Sequence, residues 1–152
     1  MTPSPSKQLA GFMARYTPAI AKLARAALAR MRARLPGAVE LVYDNCNALV
    51  IGFGPTERAS DAVFSIALYP RWINLFFLNG ARLPDPHRLL KGGGKQVRCI
   101  VVEDADTLDR PAVRSLMKVA LARSATPIDP AVPNRIIIKS ISAKQRQRRP
   151  AR

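Results

Sequence analysis

An α+β fold, an antiparallel meander of five to six strands packed on N-terminal and C-terminal helices, is what this 152-residue chain predicts from three observations. Apolar residues recur at spacings of three and four over the first quarter of the chain. A spacing of two replaces that pattern at Ala38, and a helical spacing returns from Asp109. Strands that follow one another without intervening helices pair as hairpins, whereas alternating strands and helices would imply a parallel sheet. With 48% hydrophobic residues the chain can build one domain with a sizeable core.

Taken in order, residues 1–6 (MTPSPS) read as a disordered Pro/Ser leader, and Lys7 to Tyr16 as a short helix. Thr17 then caps a longer helix with Pro18 in its first turn, and Pro36-Gly37 ends it. In that helix Ile20, Leu23, Ala24, Ala27, Leu28, Met31 and Leu35 form an inward stripe, with Lys22, Arg25 and Arg32 on the opposite side. Strands are expected at 39–43, 48–53, 62–69, 72–78 and 96–102, with a tight hairpin at Tyr69-Pro70-Arg71-Trp72. Residues 54–61 form a longer loop, and Pro84-Asp85-Pro86-His87 opens an excursion with a helical turn at Arg88 to Leu90. A last helix is expected from Asp109 to Arg123, and Arg135 to Ile141 can add a sixth strand. The domain thus spans 7–141, and residues 142–152 read as a basic disordered tail that the fold can lose.

The chain has 25 Lys and Arg against 10 Asp and Glu, a net charge of +15. The excess is concentrated at the two ends. Seven basic residues precede the first acid, Glu40, and seven follow the last, Asp129, while the segment between holds eleven bases and ten acids. Two cysteines, Cys46 and Cys99, are too few for a disulfide framework, and the N-terminus lacks a secretory apolar core, which points to the cytoplasm. The acid-free, Arg-rich residues 1–39 also resemble a transit peptide, but their apolar spacing continues into the domain. No apolar run approaches the roughly 20 residues that span a bilayer, so no membrane partner is expected.

The helix ending in LPGAVELVYDN, the hairpin LYPRWINLFFLNGA, the L-x-G-x-G-K-x-x-R stretch (Leu90, Gly92, Gly94, Lys95, Arg98) and the final helix together resemble the YdhG-like domain family. The match covers roughly residues 17–123. This is a bacterial family of unknown function, some of whose members are described as frataxin-like iron chaperones. The resemblance implies a curved antiparallel sheet with helices on one face and little chemistry; with no catalytic constellation in the sequence, a small protein in a binding or accessory role is expected. A net charge of +15 departs from the acidic surface that iron handling would favour.

Strand parity separates the sheet into two faces. Phe64, Ile66, Leu68, Ile73, Leu75, Phe77, Val97, Cys99 and Val101 form one apolar set, the expected core. The other face then carries Tyr69, Trp72, Asn74, Phe76, Arg98 and Ile100, with Lys91 and Lys95 in the adjoining glycine loop. Aromatic rings beside Asn and Arg suit a small planar or anionic ligand. Burial of that face by the N-terminal helix, by the 80–95 excursion or by a second copy in a homodimer is the alternative.

A second candidate surface is nucleic-acid contact through the basic ends, by Lys22, Arg25 and Arg32 of the helix and Lys144, Arg146, Arg148 and Arg149 of the tail. Gly92-Gly93-Gly94-Lys95 lacks the phosphate-loop spacing, and Gln96 stands where the magnesium-binding hydroxyl belongs. Glu103, Asp104, Asp106 and Asp109 gather hard oxygen ligands, but acids before a helix are better explained as caps. His87 is the only histidine, and the long spacings among Cys46, His87 and Cys99 carry no zinc signature. Neither a cofactor nor a catalytic constellation is expected.

Overall fold

The computed structural model describes residues 2–151, so Met1 of the expected leader and Arg152 of the expected tail lie outside it. Ser4 Oγ accepts the Lys7 amide at 3.2 Å, and α1 therefore begins at Pro5 and runs to Ala14. The leader is thus shorter than expected, because Ser4 acts as a cap and Pro5 and Ser6 are already helical. Thr17 Oγ1 accepts the Ile20 amide at 3.3 Å and starts α2, Pro18–Arg34. Both helices turn Leu9, Met13, Ile20, Ala24, Ala27, Leu28 and Met31 into the core.

Beyond α2, Gly37 adopts φ +86, where a Cβ would stand 1.8 Å from the Asp129 carbonyl oxygen. Only glycine fits that left-handed, crowded position. Its amide donates to Asn134 Oδ1 at 3.1 Å, which ties the end of α2 to the segment entering the last strand.

The strands are β1 (Val39–Asp44), β2 (Leu49–Gly54), β3 (Phe64–Leu68), β4 (Ile73–Phe77), β5 (Arg98–Val101) and β6 (Arg135–Ile141), with α3 (Pro111–Arg123) between the last two. Their order across the sheet is β5-β4-β3-β2-β1-β6, antiparallel from β1 to β5, with β6 added parallel to β1. The sheet is therefore mixed, since α3 carries the chain from one edge to the other. None of the helices is long and apolar enough to cross a membrane among the described residues.

All three helices contribute to one cluster on the face holding Phe53, Phe64, Ile66, Leu68, Ile73, Leu75 and Phe77. Phe64 and Phe77 meet edge to face at 5.5 Å between centroids. This is the face that strand parity predicts for β3 and β4.

For β5 the parity is the reverse of the expectation. Ladder partners share a face, and Leu75 pairs with Ile100, Phe77 with Arg98, Phe76 with Cys99 and Asn74 with Val101. Ile100 is consequently buried, while Val97 and Val101 are exposed and Cys99 is half-buried on the other side. VRCIVV is apolar on both parities, so its pattern alone could not set the register. The expected helical turn at 88–90 is also absent. Asp85 accepts the amides of Leu89 and Leu90 at 2.9 and 2.8 Å, and Arg88 takes φ +53, leaving an open loop.

Burial gives this correction a direct check. Ile100, 6% exposed, should cost about 2–5 kcal/mol on truncation to alanine, while Val101, 38% exposed, should cost less than about 0.5 kcal/mol. Chemical denaturation of the two variants would restore the opposite parity if the order were inverted.

Candidate functional site

The inward face of β1 carries two acids, Glu40 and Asp44, whose side chains are almost wholly excluded from solvent. A buried carboxylate is costly unless paired, and each is met by an arginine from another element. Arg32 of α2 donates to both Glu40 oxygens at 2.8 Å, a bidentate contact that raises its already high pKa. Arg32 is therefore an internal partner, not the free phosphate contact expected of it.

Asp44 is met by the C-terminal segment. Arg148 donates to Asp44 Oδ1 at 2.9 Å with both side chains 2% exposed, and it also reaches the Asn45 carbonyl. Gln145 donates to Asp44 Oδ2 at 3.0 Å and accepts from Arg15 at 2.6 Å, and Arg15 itself approaches Asp44 at 3.5 Å. The Arg148 guanidinium lies 5.8 Å from the Tyr16 ring centroid. Residues 142–151 are thus folded against the end of the sheet. The expectation of a free tail fails because it weighed apolar periodicity, whereas a buried carboxylate is what recruits this segment.

Tyr16 completes that end of the molecule. Its hydroxyl donates to the Leu68 carbonyl at 2.7 Å and accepts the Leu49 amide at 3.1 Å, joining the α1–α2 junction to β2 and β3. Burial is the main reason its pKa is raised.

Docking of the segment brings two expected sites together. The β3–β4 turn closes through Tyr69 N–H to the Trp72 carbonyl at 2.9 Å, and the two rings stack at 4.9 Å and 19°. Trp72 remains 44% exposed. A shallow depression on one side of this turn is shared by Pro70, Arg71, Trp72, Arg146 and Arg149. An adjoining groove, about 650 Å³, runs from Arg71 and Trp72 past Lys22 and Leu23 of α2 to Val101 and Glu103. Arg71, Arg146 and Lys22 have no side-chain hydrogen bond or ion pair among the described residues, and Arg149 donates to the Arg15 carbonyl at 3.2 Å.

The remaining expected residues disperse. Arg98 lies on the helix-covered side and turns its guanidinium to the carbonyls of Gly94 and Val97 at 2.6 and 2.9 Å, so it does not join Trp72. Asn74 and Phe76 stay half-buried on the opposite face, where Asn74 Oδ1 has no partner among the described residues. Lys91 bridges to Cys99 through its backbone, and Lys95 is exposed at the far end of the sheet. Arg25 and Lys144 are exposed outside the depression. Arg71 and Arg15 are the residues that sequence reasoning missed. A cation inside a tight turn next to the only tryptophan was the available signal.

The acidic stretch before α3 is engaged internally. Asp104 caps the short 3-10 turn Ala105–Asp109 in a capping box with Thr107, Asp109 binds Arg30 at 2.8 Å and also Arg34, and Glu103 approaches Arg110 at 3.5 Å. The Arg30 hydrogen bond holds the Asp109 carboxyl below the usual carboxylate range. Among the described residues no three His, Cys, Asp or Glu side chains gather in a metal-binding arrangement. No protein-family model, no curated protein and no solved structure matches this chain.

Deleting residues 142–152 should destabilise the domain by about 1–3 kcal/mol, because Asp44 would lose its hydrogen bonds to Arg148 and Gln145 and be left to solvent and Arg15. Denaturant midpoints of the full and shortened chains measure this. Equal midpoints would return the segment to the status of a free tail.

Proposed function

We propose that this chain is a non-catalytic binding protein whose ligand is single-stranded nucleic acid, stacked on Trp72 and held through its phosphates by Arg71, Arg146 and Arg149. One observation carries the reading: a half-exposed tryptophan, braced by Tyr69, sits amid arginines that pair with no carboxylate among the described residues. An exposed ring offers its face to an unstacked base, and guanidiniums meet phosphates with little sequence preference. Duplex DNA presents no free base face, so the geometry favours single strands. Lys22 extends the positive surface along the groove.

The resemblance to YdhG-like domains belongs to this proposal, as does an accessory role in a bacterial cytoplasm. Support for the resemblance is limited to the α+β architecture with helices on one face of the sheet. Iron handling draws no support from ligand geometry.

Trp72 is the only tryptophan, so its fluorescence reports the site directly. A short oligothymidylate should quench it, with log affinity falling against log salt at a slope of about −2 for three phosphates. Trp72→Ala should weaken binding by about 1–3 kcal/mol, and Arg146→Ala should make the slope shallower by about 0.7. Equal affinity for duplex, or a slope unchanged by Arg146→Ala, would contradict the reading.

A further inference from the structure

The opposite end of the β3–β4 hairpin holds a different kind of cavity. Phe64 pairs with Phe77 at that end, five residues along the ladder from the Trp72 turn. Between the loop before β3, the short turn Gly80–Arg82 and the C-terminus of α3 lies a recess of about 360 Å³. That size is within the range of small-molecule sites.

Its lining is divided by chemistry. Leu83, Ala120 and the edge of Val63 contribute an apolar floor, backed by the fully buried Phe77 of the main core. At the mouth stand Arg82 and Arg123, neither of which has a carboxylate partner among the described residues. Arg123 Nη1 donates to the Arg82 carbonyl at 2.6 Å, which fixes the last turn of α3 against the 80–82 turn and holds the guanidinium in place. Its other N–H groups make no hydrogen bond among the described residues. The one acid in the lining, Asp61, already accepts the Thr56 hydroxyl at 2.7 Å.

We infer that this recess binds a small carboxylate with an apolar, single-ring body: the ring against Leu83 and Ala120, the carboxylate at Arg82 and Arg123. Two forces compete there. The carbonyl end of α3 and the Asp61 charge disfavour an anion, each by a fraction of the attraction that two guanidiniums supply when they engage one carboxylate together. A neutral ring compound would gain the floor and lose the arginines, and a cationic one would meet both positive charges. The site is independent of the Trp72 surface, which lies at the other end of the sheet.

Titration of the isotopically labelled protein with phenylpropionate tests this. At millimolar ligand, amide shifts should concentrate at residues 61–63, 79–83 and 123–126, and Trp72 emission should stay unchanged. The exposed double variant Arg82→Gln/Arg123→Gln should bind at least tenfold more weakly, and Asp61→Asn more tightly. Ala120→Met, which fills the floor and leaves the arginines, should abolish the shifts. Phenylpropanol binding as well as phenylpropionate, shifts that survive the double variant, or no shifts at millimolar ligand would each overturn the inference.

Discussion

Everything at the Trp72 end depends on the cost of a buried carboxylate. Asp44 faces inward at the last position of β1, in line with Leu49, Leu68 and Ile73, where an unpaired charge could not remain. Arg148 answers it from 104 residues away, and in doing so brings Arg146 and Arg149 beside the hairpin. Burial of Arg148 is incompletely compensated, since its Nε and Nη1 find no partner among the described residues. The pair is therefore better understood as fixing where the chain terminus lies than as a large source of stability.

The same logic governs the charge distribution of the whole molecule. Each of the ten acids is engaged internally: Glu40, Asp44, Glu57, Glu103, Asp106 and Asp109 by arginines, the rest by backbone amides or the Thr56 hydroxyl. Seven arginines are used in these pairs, among them Arg30, Arg32 and Arg34 of a helix whose basic face looked solvated. Most of the 25 Lys and Arg side chains therefore form no ion pair among the described residues. Such a surface attracts polyanions at long range, and Trp72 supplies what a bare cationic patch lacks, a flat apolar contact.

How much of this was legible in the sequence follows from which forces dominate locally. Thr17-Pro18 and the Pro70-Arg71 turn act over a few residues, and the structure has them where the sequence predicts. On β3 and β4 the large apolar residues fall mainly on one parity, so Phe64, Ile66, Leu68, Ile73, Leu75 and Phe77 sort to the correct face, and RIIIKSI does become a strand. On β5 both parities are apolar, and the choice is made by hydrogen-bond register with β4, a nonlocal fact. The docking of the terminal segment is illegible in the sequence for a related reason. Nothing near Arg148 signals burial, because its partner lies on the first strand. For the candidate site, Tyr69, Trp72, Lys22, Arg146 and Arg149 were visible as two separate sets, and only the Asp44 pair unites them.

The most direct measurement is the oligothymidylate affinity of Asp44→Asn. Removing a negative charge near a cationic surface, with Arg15 released from it as well, should by electrostatics alone tighten binding. If Asp44 acts by docking the segment that carries Arg146 and Arg149, the variant should bind more weakly, although Asp44 touches no ligand. Affinity equal to or greater than that of the parent chain would contradict the account.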